Sequence, residues 1–128
     1  FYGFENKEPI WGNNFYKALV SSKMGLNLSR GLPTKYYSSN RIASLMGNGL
    51  LTFIDRKTQM NDFFTNNEII FYDNITDLSE KIKFYKKNEK LRIKIARNGK
   101  KKYFELFNEL KTTKYIIDKS LGNKTLLY

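Results

Sequence analysis

The 128-residue sequence predicts an α/β fold of the Rossmann-like half-domain kind, with about four parallel strands flanked by helices and a long C-terminal helical segment. Three observations lead there. Short apolar runs (FYGF, MGLNLS, LLTFI and EIIFY) alternate with stretches of helical periodicity, as in a parallel sheet covered on both faces. What separates LNLS from LLTFI is too long for a hairpin, so a crossover joins them. Gly, Pro and Ser punctuate the ends of the runs and mark where strands stop.

Residues 1–4 read as the first strand, and a helix follows from Asn13 or Asn14, either a suitable cap, to Ser21 or Ser22. Residues 24–29 form the second strand. Residues 40–46 form a helix with Ser38, Ser39 or Asn40 as cap, ended by Gly47 and Gly49 before the third strand at 50–54. A short helix at 59–64 and a turn at 65–67 precede the fourth strand at 68–72. Asp73 or Asn74 leads into a helix in which Thr76 with Ser79 or Glu80 resembles a capping box, and Leu78, Ile82 and Tyr85 share one face. Leu91, Ile95, Tyr103, Phe107 and Leu110 then describe a long helix with a kink near Asn98 and Gly99. A last helix in 115–128, bearing Ile116, Ile117 and Leu121, is expected to pack on something outside a minimal sheet. The expected division is a Rossmann-like domain at 1–110 and a C-terminal helical tail at 111–128 that packs on this domain or on a missing partner domain. Because the chain opens on Phe1 inside an apolar run, a missing upstream portion is expected.

Composition excludes several chemistries. Without Cys or His there is no disulfide, no thiolate or imidazole metal site and no histidine acid/base catalysis. No apolar run approaches the roughly 18 residues of a membrane span, so the expected location is the cytoplasm, with the inner face of the membrane as an alternative. The net charge is +11, and residues 81–128 carry all of it, with 15 Lys and Arg against 4 acids. Lys far outnumbers Arg, and Asn, Ile, Tyr and Phe are abundant, a bias expected of an A/T-rich genome. Nucleic acid therefore ranks low as a partner, since no recognised motif accompanies the charge. A peripheral membrane surface stays open as a partner.

The polar loop after LNLS lies at the carboxyl end of a strand, where ligands of open α/β sheets bind. Candidate binding residues there are Asn27, Arg30, Tyr37, Ser38, Ser39, Asn40, Arg41 and Ser44. Arg41 leads: an arginine at a helix start, beside free backbone N–H groups, suits a diphosphate. Each has a plainer reading as well. Arg41 could pair with an acid, the serines and Asn40 could only cap, Tyr36 and Tyr37 could seal the core, and Asn27 and Arg30 could brace the loop.

Two segments carry a family resemblance: RIASLMGNGLLTFID, and NEIIFYDNITDLSEKIKFYKKNEKLRIKIARNGKKKYFELFN. Together they resemble the donor-binding C-terminal portion of two-domain GT-B glycosyltransferases, in the group 1 branch that includes CgeB-like enzymes. The resemblance covers nearly all of 1–110. It implies binding of a nucleotide-sugar donor, transfer to an acceptor such as a cell-surface glycan, and a separate N-terminal domain that presents the acceptor. It implies that Arg41 matches an arginine of this branch, and that Ser44 stands where the family has a glutamate bonded to the donor ribose. No residue here is assigned as catalytic, so the isolated chain is expected to be inactive. No Asp-x-Asp motif is present, and no cofactor or metal is expected beyond the donor as substrate. The competing readings are a basic nucleic-acid module using FYKK and KKKYF, and a non-catalytic interaction domain that kept the fold.

Overall fold

The computed structural model describes residues 8–29, 31–37 and 39–123. The expected strand at 1–4, Arg30 and Ser38 lie outside the described residues. The remaining strands form one parallel sheet of β1 (Met24–Asn27), β2 (Leu51–Asp55) and β3 (Ile70–Tyr72), in the order β1-β2-β3. The register sets Leu26 beside Phe53 and Phe53 beside Ile70. Residues 51–54 are all buried, which is why β2 reads as an unbroken apolar run: a central parallel strand has no wet face to alternate with.

The side chains of β2 and β3 part onto two faces. Leu51, Phe53, Ile70 and Tyr72 join Leu78 of α3 (Ile75–Lys87) with Ile95 and Ala96 of α4 (Glu89–Leu106). On the other face, Ile54 and Phe71 join Ile42 and Met46 of α2 (Asn40–Gly47), with Met60, Phe64 and Ile69. Tyr103 and Leu106, from the far end of α4, pack on this second cluster. Helix α4 thus starts on one face and finishes on the other, crossing the amino end of the sheet. At the crossing Gly99 is buried, and a Cβ built there would drive into the backbone oxygen of Glu68, just ahead of β3. The expected kink is replaced by a continuous helix: Gly99 serves close approach, not interruption. The expected stripe holds only at Ile95 and Tyr103: α4 ends at Leu106, Phe107 is exposed at its cap, and Leu110 is exposed in the next helix. Arg92 lies inside, donating to Glu89 at 2.7 Å and to the Tyr85 carbonyl at 3.1 Å, while Leu91 is exposed.

Local chemistry explains the helix ends. Helix α1 (Gly12–Ser21) starts after Trp11 without a side-chain cap, so Asn13 and Asn14 are helical and not caps; Leu19 holds it to Leu45 and Leu50. Helix α2 is capped by Ser39 and closes in a Schellman arrangement, Gly49 N–H to Met46 O at 2.9 Å and Leu50 N–H to Leu45 O at 3.0 Å. Gly49, at φ +75°, supplies the left-handed residue this motif needs. The short helix expected at 59–64 is instead two 3-10 turns, Arg56–Thr58 and Met60–Asp62, separated by Gln59 at φ +54°.

Asn74, not Thr76, caps α3, its Oδ1 accepting from Asp77 N–H at 3.0 Å. The Lys81 ammonium at 2.7 Å, and then the Asp73 amide at 2.9 Å, hold the Asp77 carboxyl below the usual carboxylate range. A lowered folded value gives stability that is present above the unfolded carboxylate pKa and lost as pH falls through the folded one. Asp77→Asn should therefore flatten the acid limb of a stability profile while leaving its slope near neutrality unchanged. Thermal melts at stepped pH measure this, and an unaltered acid limb would contradict it.

Helix α5 (Glu109–Ser120), capped by Asn108, has no buried residue. Among the described residues, no helix is long and apolar enough to cross a membrane.

Candidate functional site

Parallel pairing lines up the carboxyl ends of the strands at one edge, where Asn27, Asp55 and Tyr72 terminate β1, β2 and β3. Helix α2 begins at the same edge, because Ser39 is tied to β1. Asn27 is 1% exposed, its Oδ1 accepts from Ser39 Oγ at 3.0 Å, and Ser39 Oγ accepts in turn from Arg41 N–H at 3.3 Å. Among the described residues, Asn27 Nδ2 and Ser29 Oγ are buried without a hydrogen-bond partner. Leaving such groups unpaired costs about 1–3 kcal/mol each, so their persistence together needs an explanation.

Arg41 is exposed, and its Nη1 donates to Leu28 O at 2.8 Å. That bond steadies the guanidinium over the end of β1 and leaves its other N–H groups without a protein partner among the described residues. Asn40 is the first residue of α2, and its carbonyl accepts from Ser44 Oγ at 3.1 Å. Ser44 is half-buried one turn into α2 and bonds back along its own helix. Tyr37 is half-buried in the loop, its N–H donating to Thr34 O at 3.2 Å.

The loop itself is pinned from below. Tyr36, at φ +58°, donates its N–H to Thr58 O at 2.7 Å and its hydroxyl to Asp62 Oδ2 at 2.7 Å, with its ring edge-on to Phe63. A tyrosine in the left-handed region is strained, and these three contacts hold it there. Farther along the edge, Arg56 pairs with Asp73 at 2.8 Å and lies over the Phe71 ring. Burial, and then the Asp55 carboxylate, push the Tyr72 hydroxyl above its ordinary value, so it stays a proton donor. Between α1 and the start of α2 opens a cavity of about 520 Å³, lined by Ile10, Trp11, Phe15, Leu19, Ser22 and Arg41 among others.

The structure brings Asn27, Ser39, Asn40 and Arg41 together, sets Ser44 a turn away and Tyr37 in the adjoining loop. Ser29, Trp11, Phe15 and the Tyr36–Asp62 pair escaped the sequence reading. Ser29 had a signal, since in extended chain it repeats the Asn27 side two residues on. Trp11 and Phe15 had none, because nothing local says which helix will border the end of β1.

The carboxyl end of this parallel sheet gathers a capped helix start, an arginine and polar groups unpartnered among the described residues, at the edge where open α/β sheets generally bind ligands. The family model described as glycosyl transferase-like matches residues 2–111, and the chain belongs to that glycosyltransferase family. No curated protein and no solved structure matches it.

Proposed function

We propose that this chain is the donor-binding C-terminal portion of a two-domain, CgeB-like glycosyltransferase, and that the carboxyl edge of its sheet holds a nucleotide-sugar. The observation that carries the reading is the buried Asn27 amide, unpartnered among the described residues, beside the Ser39-capped start of α2, under Arg41. The donor diphosphate accepts from the Arg41 side chain and from the Asn40 N–H at the start of α2, and the Asn27 amide and Ser29 hydroxyl meet its oxygens or the ribose. The aromatic cavity at Trp11 and Phe15 takes the apolar face of the base. As the bond from the anomeric carbon to the diphosphate breaks, negative charge grows on the leaving oxygen. Fixed donors bind that charge more strongly than the ground state and so favour the transfer. The acceptor, a glycan of the cell surface, and any base come from outside this chain.

Amide NMR titration with UDP-, GDP- and CMP-linked sugars tests the reading. One nucleotide should give saturable shifts confined to 27–29, 36–49 and α1, and Arg41→Gln should weaken that binding about tenfold, the loss of a charge-assisted hydrogen bond. If no nucleotide-sugar saturates this edge, while a short oligonucleotide shifts α3 to α5 with steep salt dependence, the basic helices are the functional surface instead.

A further inference from the structure

We infer that the amino edge of the sheet carries a second binding site, for the phosphate group of a small molecule, in a recess beside the first half of α4. The inference does not rest on the donor reading. Lys23 and Gly49 stand just ahead of β1 and β2, and the Leu51 N–H donates to Lys23 O at 3.2 Å, so the two strand entrances lie side by side. Between them and α4 opens a cavity of about 270 Å³, lined on the helix side by Glu89, Arg92 and Arg97. Lys100 joins its rim, with Cδ 3.7 Å from where a side chain on Gly49 would begin. Helical spacing puts positions 89, 92, 93, 96, 97 and 100 on one side of α4.

Charge decides the occupant. Lys23, Arg92, Arg97 and Lys100 meet one carboxylate there, Glu89, which is 2.7 Å from Arg92 Nη2 and 3.8 Å from Lys23 Nζ. The acid ahead of β3, Glu68, is turned to the Thr65 N–H and hydroxyl. Arg92 sets this recess apart from a solvated basic surface: its side chain is 6% exposed, which is costly for a guanidinium that lacks partners. It gives one N–H to Glu89 and one to the Tyr85 carbonyl, and the rest of its fork has no protein partner among the described residues. Arg97 likewise has none among them. An excess of like charge in a recess favours a multiply charged anion, and phosphate oxygens, pointing several ways, accept from two guanidinium forks at once. Ile93 and Ala96 supply an apolar wall for the small body that carries the phosphate.

Amide NMR titration of the full chain at low salt with inorganic diphosphate, inorganic phosphate and glucose 1-phosphate tests the site. Saturable shifts are expected at 22–23, 49 and 89–97, with diphosphate bound more tightly than phosphate. Arg97→Gln should weaken diphosphate about tenfold. Glu89→Gln removes the competing carboxylate, keeps an acceptor for Arg92, and should tighten diphosphate about threefold. Both positions are exposed, so circular dichroism of the variants should match the parent. Arg41→Gln should leave these shifts as they are, which separates this site from the donor edge. Absence of saturable shifts at these residues with all three probes overturns the inference, as does affinity that Arg97→Gln leaves unchanged or Glu89→Gln lowers. Shifts spread evenly over the lysines of α3 and α5 do so too, and so does displacement of diphosphate by a short oligonucleotide or by anionic vesicles that hold the same residues more tightly.

Discussion

Alanine at position 99 should lower the unfolding free energy by about 3 kcal/mol, through overpacking against backbone. In an isolated helix the same change would stabilise by about 1 kcal/mol, because glycine is the poorer helix former. Here the new methyl would enter the space of the Glu68 carbonyl oxygen, with the Met46 methyl 3.2 Å away on another side. A carbonyl fixed just before β3 cannot swing aside, so α4 has to lift off the end of the sheet. Gly25 makes the contrast: a methyl there would first meet the branched end of the Leu45 side chain, which can change rotamer, and not backbone. Urea unfolding of Gly99→Ala and Gly25→Ala measures the pair. A Gly99→Ala variant as stable as the parent would mean that α4 does not press on Glu68.

Phe53→Ala should cost about 3–5 kcal/mol, the range for emptying a buried aromatic site. Phe53 is 1% exposed at the middle of the central strand, flanked by Leu26 and Ile70 and edge-on to Tyr85 at 6.2 Å. Neighbours on three strands and two helices cannot all collapse into the gap. Phe53→Leu, which keeps most of the volume, should cost less than about 1.5 kcal/mol. On α5, Leu110→Gln should move stability by no more than about 0.5 kcal/mol, since that side chain is 78% exposed. Chemical denaturation of the three proteins provides the ordering. A cost below 1 kcal/mol for Phe53→Ala would remove the argument that this face of the sheet is a packed core.

The parallel sheet was legible because its strands are apolar on both faces, and that pattern survives in the sequence without any knowledge of neighbours. The Ser39 cap and Gly49 turn were legible for the same reason: both are local backbone chemistry. Gly99 was misread as a kink because sequence shows only that the side chain is missing, and the Glu68 carbonyl that requires its absence lies 31 residues away in the chain. Arg92 was passed over because a hydrophobic stripe is drawn through Leu91, yet Glu89 and the Tyr85 carbonyl give the guanidinium the partners that burial demands. Thr76 lost the cap of α3 to Asn74, whose amide oxygen reaches the Asp77 N–H two residues sooner in the chain. At the candidate site, a strand end and a helix start announced Asn27 and Arg41, whereas the aromatic wall from Trp11 and Phe15 depends on where α1 docks.

The route of α4 has a consequence for how this molecule comes apart. One uninterrupted helix contributes Ile95 and Ala96 to the first hydrophobic cluster and Tyr103 and Leu106 to the second. Neither cluster can be exposed while the other stays intact unless that helix breaks near Gly99. The two layers therefore share a single melting event, and amides of β2 and α4 should exchange with solvent together, in the slowest class. Helix α5, which holds no buried residue, lies outside this cooperative unit and can fray and reform while the sheet remains whole.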